Sequence, residues 1–305
     1  MSVVVHERLK INTLLYHSFA KKSTEAFRQL TVEPSLFAEQ IAALRDSGCR
    51  FIRFGDIPTV LANPTGSAAS TSGPIVAVTI DDGFADVETF AAPILSNYGV
   101  PATFFVPTAY VGRSARWLPS EDGNRPICDW KSLTDLSASG WEVASHGHRH
   151  IAADLSAPET VNADARLSRG LLEDHLGLPV TSFAYPFGYY SKQGGQAVRD
   201  AGFDLAGIVS GPHDRSSNNR WRLPRALIGP GLSPEDLVTL IHRRGGDARF
   251  RNRAKQRLWL FGRRRFGLGP PEAAPACCGH DLAFEPCGVS SSRSEVTGSE
   301  DSIGV

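Results

Sequence analysis

Methionine is nearly absent, with one residue in 305, and cysteine is sparse and odd in number. Three of the five cysteines (Cys277, Cys278 and Cys287) crowd into the last thirty residues. That usage excludes the evenly spaced disulfide framework of small secreted domains and fits a reducing compartment. Long hydrophobic runs are missing too: nothing approaches the roughly 18 apolar residues of a membrane span. The opening MSVVVHERLKINTLLYHSFA holds no apolar core followed by a small-residue cleavage site. These absences predict a cytoplasmic protein, peripheral to the membrane at most. Net charge is also lacking, since 32 basic side chains balance 32 acidic ones, so no nucleic-acid partner is expected. No GxGxxG or GxxxxGK[ST] loop follows any strand candidate, and no repeat of fixed period is visible.

The neutrality is an average. Residues 1–242 are mildly acidic, whereas 243–266 hold ten basic side chains and one acidic one, interleaved with Phe250, Trp259, Phe261 and Phe266. A basic aromatic segment of this kind is a candidate for an anionic membrane surface; a solvated extension of the last helix is the plain alternative. Residues 267–305, rich in Gly, Pro, Ser and acid, read as a disordered tail. The Cys277, Cys278, His280, Cys287 group lacks the C-x2-C spacing of a zinc knuckle.

With 41% hydrophobic residues the rest of the chain can bury a substantial core. From residue 11 to about 242, short β-rich runs alternate with amphipathic segments, the pattern of βα units around a mainly parallel sheet. Strands are predicted at Ile11–Tyr16, Arg50–Phe54, Ile75–Ile80, Ala102–Val106, Trp141–Ser145, Thr181–Tyr185, Leu205–Val209 and Leu223–Ile228. Helices are predicted at Pro34–Ser47 and near 86–98, 131–139, 159–176, 193–201 and 233–244, several of them stopped by glycine. Seven or eight strands with helices outside point to an α/β barrel or a barrel-like relative, with an open doubly wound sheet as the fallback. The loop 107–130, with Trp117 and Trp130, is long enough to be functional.

Four motifs carry chemistry. VAVTIDDGF (Val76–Phe84) ends a buried-type strand in two adjacent carboxylates, Asp81 and Asp82, which repel and need a cation or a proton between them; an ordinary Asp-Asp-Gly turn is the competing reading. SHGHRH (Ser145–His150) places His146 and His150 at a spacing that suits one divalent metal, against a solvated histidine cluster. FAYPFGYY (Phe183–Tyr190) offers a loop whose backbone N–H points inward as an oxyanion donor, or simply aromatic packing. LLYH (Leu14–His17) delivers a histidine to the end of the first strand, a place where a lone histidine is more often structural than catalytic.

In these blocks, and in AAPILSNYGVPATFFVPTAYVG and DWKSLTDLSASGWEVASH between them, the chain resembles the polysaccharide deacetylases, the NodB homology domain of carbohydrate esterase family 4. The resemblance covers about residues 11–242. It implies a distorted (β/α) barrel and metal-dependent hydrolysis of the N-acetyl amide of an amino sugar. Carried over, it makes Asp82, His146 and His150 the metal ligands, with zinc first and cobalt, manganese or nickel as alternatives, and Asp81 the general base. Tyr185, Pro186, Phe187 and Gly188 become the oxyanion and substrate loop. Two features depart from the family pattern. LPRALIG has no histidine where the family places its general acid, and the branch that opens with L-x-Y-H instead implies His17, with His213 as a second candidate. The arginine of the third block is replaced by Ala184, and Arg225 is the candidate substitute for orienting Asp81. His148 is left beside the site or facing substrate. The partner implied is an N-acetylated glycan; a small nucleotide-sugar amide is the alternative substrate, and a non-catalytic carbohydrate-binding relative the alternative function.

Overall fold

The face on which each residue of a parallel strand lies decides this architecture. The computed structural model describes residues 11–63, 73–210 and 219–242; the basic segment 243–266, the acidic tail 267–305 and His213 lie outside the described residues. Among these residues ten strands form: β1 (Ile11–Tyr16), β2 (Ser18–Phe19), β3 (Thr31–Val32), β4 (Arg50–Ile52), β5 (Ile75–Ile80), β6 (Ala102–Val106), β7 (Glu142–Ser145), β8 (Ser182–Ala184), β9 (Leu205–Ser210) and β10 (Leu223–Leu227). Seven helices accompany them: α1 (Pro34–Asp46), α2 (Ile57–Ala62), α3 (Ala92–Tyr98), α4 (Trp130–Ala138), α5 (Pro158–Leu176), α6 (Lys192–Asp200) and α7 (Pro234–His242).

The main sheet runs β1-β10-β9-β8-β7-β6-β5, and β1 pairs in turn with β5, closing a seven-stranded parallel barrel. An eighth strand, β4, makes the barrel irregular. It pairs with Ile75–Ala77 at the start of β5, whereas β6 pairs with Val78–Ile80 further along. Because β1 holds the whole opposite edge of β5, β4 and β6 share one edge, and β4 wedges in at the N-terminal end.

Side chains alternate along each strand, and the two parities form separate clusters. Leu14, Tyr16, Val76, Val78, Ile80, Phe104, Val106 and Val143 pack with the surrounding helices. Ile75, Ala77, Phe105, Ala144, Ala184 and Leu205 fill the inside, closed at the N-terminal end by Phe54, Ile57 and Val60. There the half-buried carboxylate of Glu142 accepts hydrogen bonds from Gly55 N, Thr103 Oγ1 and Ser182 Oγ. On this inner parity, continuing past the strand ends, lie His17, Asp81 and His146.

The predicted helices are present with ends shifted by a residue or two, and Gly99 and Gly177 close α3 and α5 in the left-handed conformation that glycine adopts freely. One difference is that the helix expected over 86–98 begins as a π turn, Val87–Ala91, before α3. Pro93, which has no N–H to donate, breaks the regular ladder there. The pair β2–β3 and helix α2 were not expected from sequence: two-residue bridges and a six-residue helix carry no measurable periodicity.

Candidate active site

Polar groups at the C-terminal ends of barrel strands face one another across the mouth, and here four strands deliver them. Backbone bonds keep them level: Asp81 N–H donates to Tyr16 O (3.0 Å) and His146 N–H to Val106 O (3.0 Å). Asp82 belongs to the outward parity, yet its φ of 74° turns it back towards the mouth. His150 (φ 56°) and Phe187 (φ 61°) are the other two non-glycine residues with positive φ, so all three among the described residues lie at this site. Such conformations cost of order 1 kcal/mol each and persist where the surroundings hold them.

The imidazoles of His146 and His150 converge on Asp82. Nε2 of His146 lies 3.3 Å and Nε2 of His150 3.2 Å from Asp82 Oδ1. One ligand atom from each of the three residues falls within 4.8 Å of the others, and all three residues are buried. His146 Nδ1 lies 2.9 Å from the carbonyl of Ala184. A carbonyl only accepts, so Nδ1 carries the proton and Nε2 turns its lone pair to Asp82. Nε2 of His150 is buried without a hydrogen-bond partner. One carboxylate and two imidazoles, with a buried nitrogen lone pair unspent, fit a divalent transition-metal ion. The His150 ring is held between Trp117 (centroids 4.7 Å apart, stacked) and Phe187 (4.6 Å, edge-on).

Asp81 is kept for something else. Arg225, fully buried, donates from Nη1 to Oδ1 (2.6 Å) and from Nη2 to Oδ2 (2.8 Å), a bidentate pair between residues 144 positions apart. Burial alone would raise the Asp81 pKa, but the Arg225 guanidinium and His146 outweigh it and hold the carboxyl below its ordinary value. Arg225 also lies over the Phe105 ring (5.1 Å). Room for it comes from Gly207 on β9, where a Cβ would sit 2.6 Å from Arg225 Nε and 2.7 Å from Cδ. His17 is half-buried, with Nδ1 buried and unpartnered; burial lowers its pKa, and Asp82 and Asp81 oppose that.

Two of the expected site residues sit otherwise than their loop position implies. Tyr185 is fully buried and its hydroxyl donates to Trp221 O (3.0 Å), so its side chain packs rather than facing the mouth. Its N–H is spent on Gly207 O and that of Gly188 on Tyr185 O, and Pro186 has none, so none of these three residues offers the oxyanion a backbone donor. His148 does not touch Asp81: its Nδ1 lies 2.8 Å from Thr108 Oγ1 and its N–H donates to Asp164.

Asp164, on α5, is a residue that sequence reasoning missed. It is buried, its Oδ2 accepts from His148 N (2.7 Å), and its Oδ1 accepts from Arg149 N (3.1 Å) and Nε (3.2 Å). Ser168, one turn on, lies 2.8 Å from Ser145 Oγ, which in turn accepts from Gly147 N. These two side chains tie down the backbone of the loop that carries both histidines. The available signal was an aspartate on the apolar stripe Val161, Ala165, Leu172 of the helix.

Comparison with known proteins agrees with this fold. Residues 68–206 match the polysaccharide deacetylase family. YxkH of Bacillus subtilis (strain 168) is 23% identical over 225 residues, covering 73% of each chain. Poly-beta-1,6-N-acetyl-D-glucosamine N-deacetylase of Staphylococcus aureus (strain MSSA476) is 23% identical over 232 residues, 73% of this chain and 76% of that one. Among solved structures, the Streptococcus pyogenes deacetylase PplD in complex with acetate superposes with a TM-score of 0.67 at 24% identity, over 77% of this chain and 100% of that chain.

Proposed function

Residues 68–206 carry a polysaccharide deacetylase domain, and from that premise we propose that the protein is a metal-dependent hydrolase that removes the acetyl group from the nitrogen of an N-acetylated amino sugar, in a polymeric, oligomeric or lipid-linked glycan, and releases acetate. The observation that carries this reading is the division of labour between two adjacent carboxylates. Asp82 meets two imidazoles at 3.2–3.3 Å, while Asp81, one residue away, is gripped by the Arg225 fork and lies 3.8 Å from the nearer imidazole, His146 Nε2. The N-acetylglucosamine polymer named for the Staphylococcus aureus relative supports the substrate class.

A divalent ion held by Asp82, His146 and His150, zinc first among the candidates, supplies Lewis acidity towards the acetyl carbonyl and the attacking water. Asp81 is the general base. Arg225 keeps its carboxylate ionised and fixed in direction, and each oxygen retains a lone pair to accept a proton from water. The N–H of Phe187 is the backbone donor of its loop assigned to the developing oxyanion. His17 protonates the leaving amine. Its lowered pKa makes the protonated ring a ready donor, and an acid must be protonated to act, so the alkaline limb of the rate profile falls below the ordinary imidazole value. Trp117 and Phe187, packed on both sides of His150, limit water around that ligand.

Treatment with a chelator should abolish acetate release from N-acetylglucosamine oligosaccharides, and zinc, cobalt, manganese or nickel should restore it. Asp81→Asn should lower kcat by about 10²-fold or more with metal content unchanged. Full activity in that variant would refute the base assignment.

A further inference from the structure

Beside the site, the segment that follows β6 folds into a rigid shoulder. Ala115 N–H donates to Arg125 O (2.9 Å), Ile127 N–H donates to Arg113 O (2.9 Å), and Ser114 bridges Pro126. This shoulder walls a recess of about 540 Å³ lined by Tyr110, Arg113, Ser114, Arg116 and Asn124 among others, and among the described residues no acidic side chain lines it. Both arginines are exposed, and neither guanidinium has a hydrogen-bond or ion-pair partner among the described residues. The recess adjoins the catalytic mouth: the ring of Tyr110 packs edge-on against Trp117 at 4.6 Å, and Trp117 stacks on the ligand His150. The positive charge of Arg113 also reaches His148, two residues from that ligand.

Two guanidiniums with neither an acceptor nor a carboxylate partner among the described residues, on a backbone fixed by cross-bonds, present donors and positive charge to whatever enters. Planar guanidinium forks match the paired oxygens of a carboxylate or phosphate. We propose that this recess is a subsite for an anionic group, carboxylate or phosphate, borne by the glycan next to the acetamido sugar under attack. The proposal rests on the hydrolase reading for the position of that sugar and narrows its substrate class to acidic or phosphate-bearing glycans.

The test is calorimetric titration of the metal-loaded full chain with three N-acetylglucosamine oligosaccharides of equal length: one neutral, one with a neighbouring uronate and one with a neighbouring phosphate. At least one anionic compound should bind about ten-fold more tightly than the neutral one, the scale of a charge-assisted contact, and the advantage should shrink as salt screens it. In Arg113→Gln/Arg116→Gln the ratio of the two dissociation constants should fall to about one, while Arg113→Lys/Arg116→Lys, which keeps the charge but not the fork, should retain part of the advantage. Which anionic compound gains identifies the source of the charge. No anionic advantage in the wild-type chain, or an advantage that survives both glutamines, would overturn the subsite. Acetate release is followed in parallel: selective binding of an anionic compound without acetate from any of the three would uphold the subsite and sink the hydrolase reading instead.

Discussion

Gly207 lies on β9 and touches no reacting group, yet one methyl group there should disable the enzyme. A Cβ at that position would meet Arg225 Nε at 2.6 Å and Cδ at 2.7 Å, both well inside contact distance. Its backbone has no positive φ to complicate the change. Gly207→Ala therefore pushes the Arg225 side chain out of line with Asp81, where it makes bonds of 2.6 and 2.8 Å. Overpacking of this kind costs about 1–3 kcal/mol of stability, and misplacing a catalytic group by about an ångström costs roughly 10²-fold in rate. Acetate release by the purified holoenzyme should show kcat down by about that factor, with KM and bound metal close to wild type. The pH profile should move as well. With Arg225 displaced, burial is no longer outweighed, the Asp81 pKa rises, and the acidic limb of kcat/KM shifts to higher pH. The decisive comparison is a double-mutant cycle with Arg225→Met, in which Gly207→Ala should cost little more because no guanidinium remains to displace. Additive losses, or wild-type kcat in Gly207→Ala alone, would refute the reasoning.

Two more expectations follow from carboxylates outside the metal site. Asp164→Ala leaves the N–H groups of His148 and Arg149 without their acceptor; metal affinity, measured by competition with a chelator, should weaken by about ten-fold or more, the range for groups that support ligands. Unchanged affinity would mean that the loop holds itself. Asp86 is half-buried, accepts from Ser18 Oγ at 2.5 Å, and has its pKa raised by desolvation from 3.8 to about 6. A carboxyl raised in the folded state stabilises fully below its unfolded pKa, and that contribution is lost as pH rises through about 6. Asp86→Asn should therefore stabilise the fold at pH 8 by up to about 3 kcal/mol, and the gain should vanish by pH 4. Urea unfolding at the two pH values measures it, and an equal effect at both would count against the carboxyl as the cause.

All eight main strands were legible in the sequence to within about two residues, because alternating faces and terminal glycines are local signals that do not depend on what pairs with what. For the same reason Asp81, Asp82, His146, His150 and His17 could be chosen as candidates: each stands at or just past the end of a recognisable strand. The loop roles were less legible. Tyr185 has a motif position that suggests substrate contact, but its hydroxyl is claimed by Trp221, 36 residues on, a bond that no local pattern announces.

Sequence alone, then, determined the eight main strands, every helix but α2, and the donor set suited to a metal. Only the tertiary structure decided how β1 closes on β5, how β4 wedges against the same edge as β6, and that Arg225 grips Asp81 in the space that Gly207 leaves. It also decided that Asp164 secures the histidine loop from α5. The physical reason is reach: strand formation and turn chemistry depend on neighbours along the chain, whereas an ion pair between residues 144 apart depends on the register of a closed barrel, which exists only once every strand has found its partner.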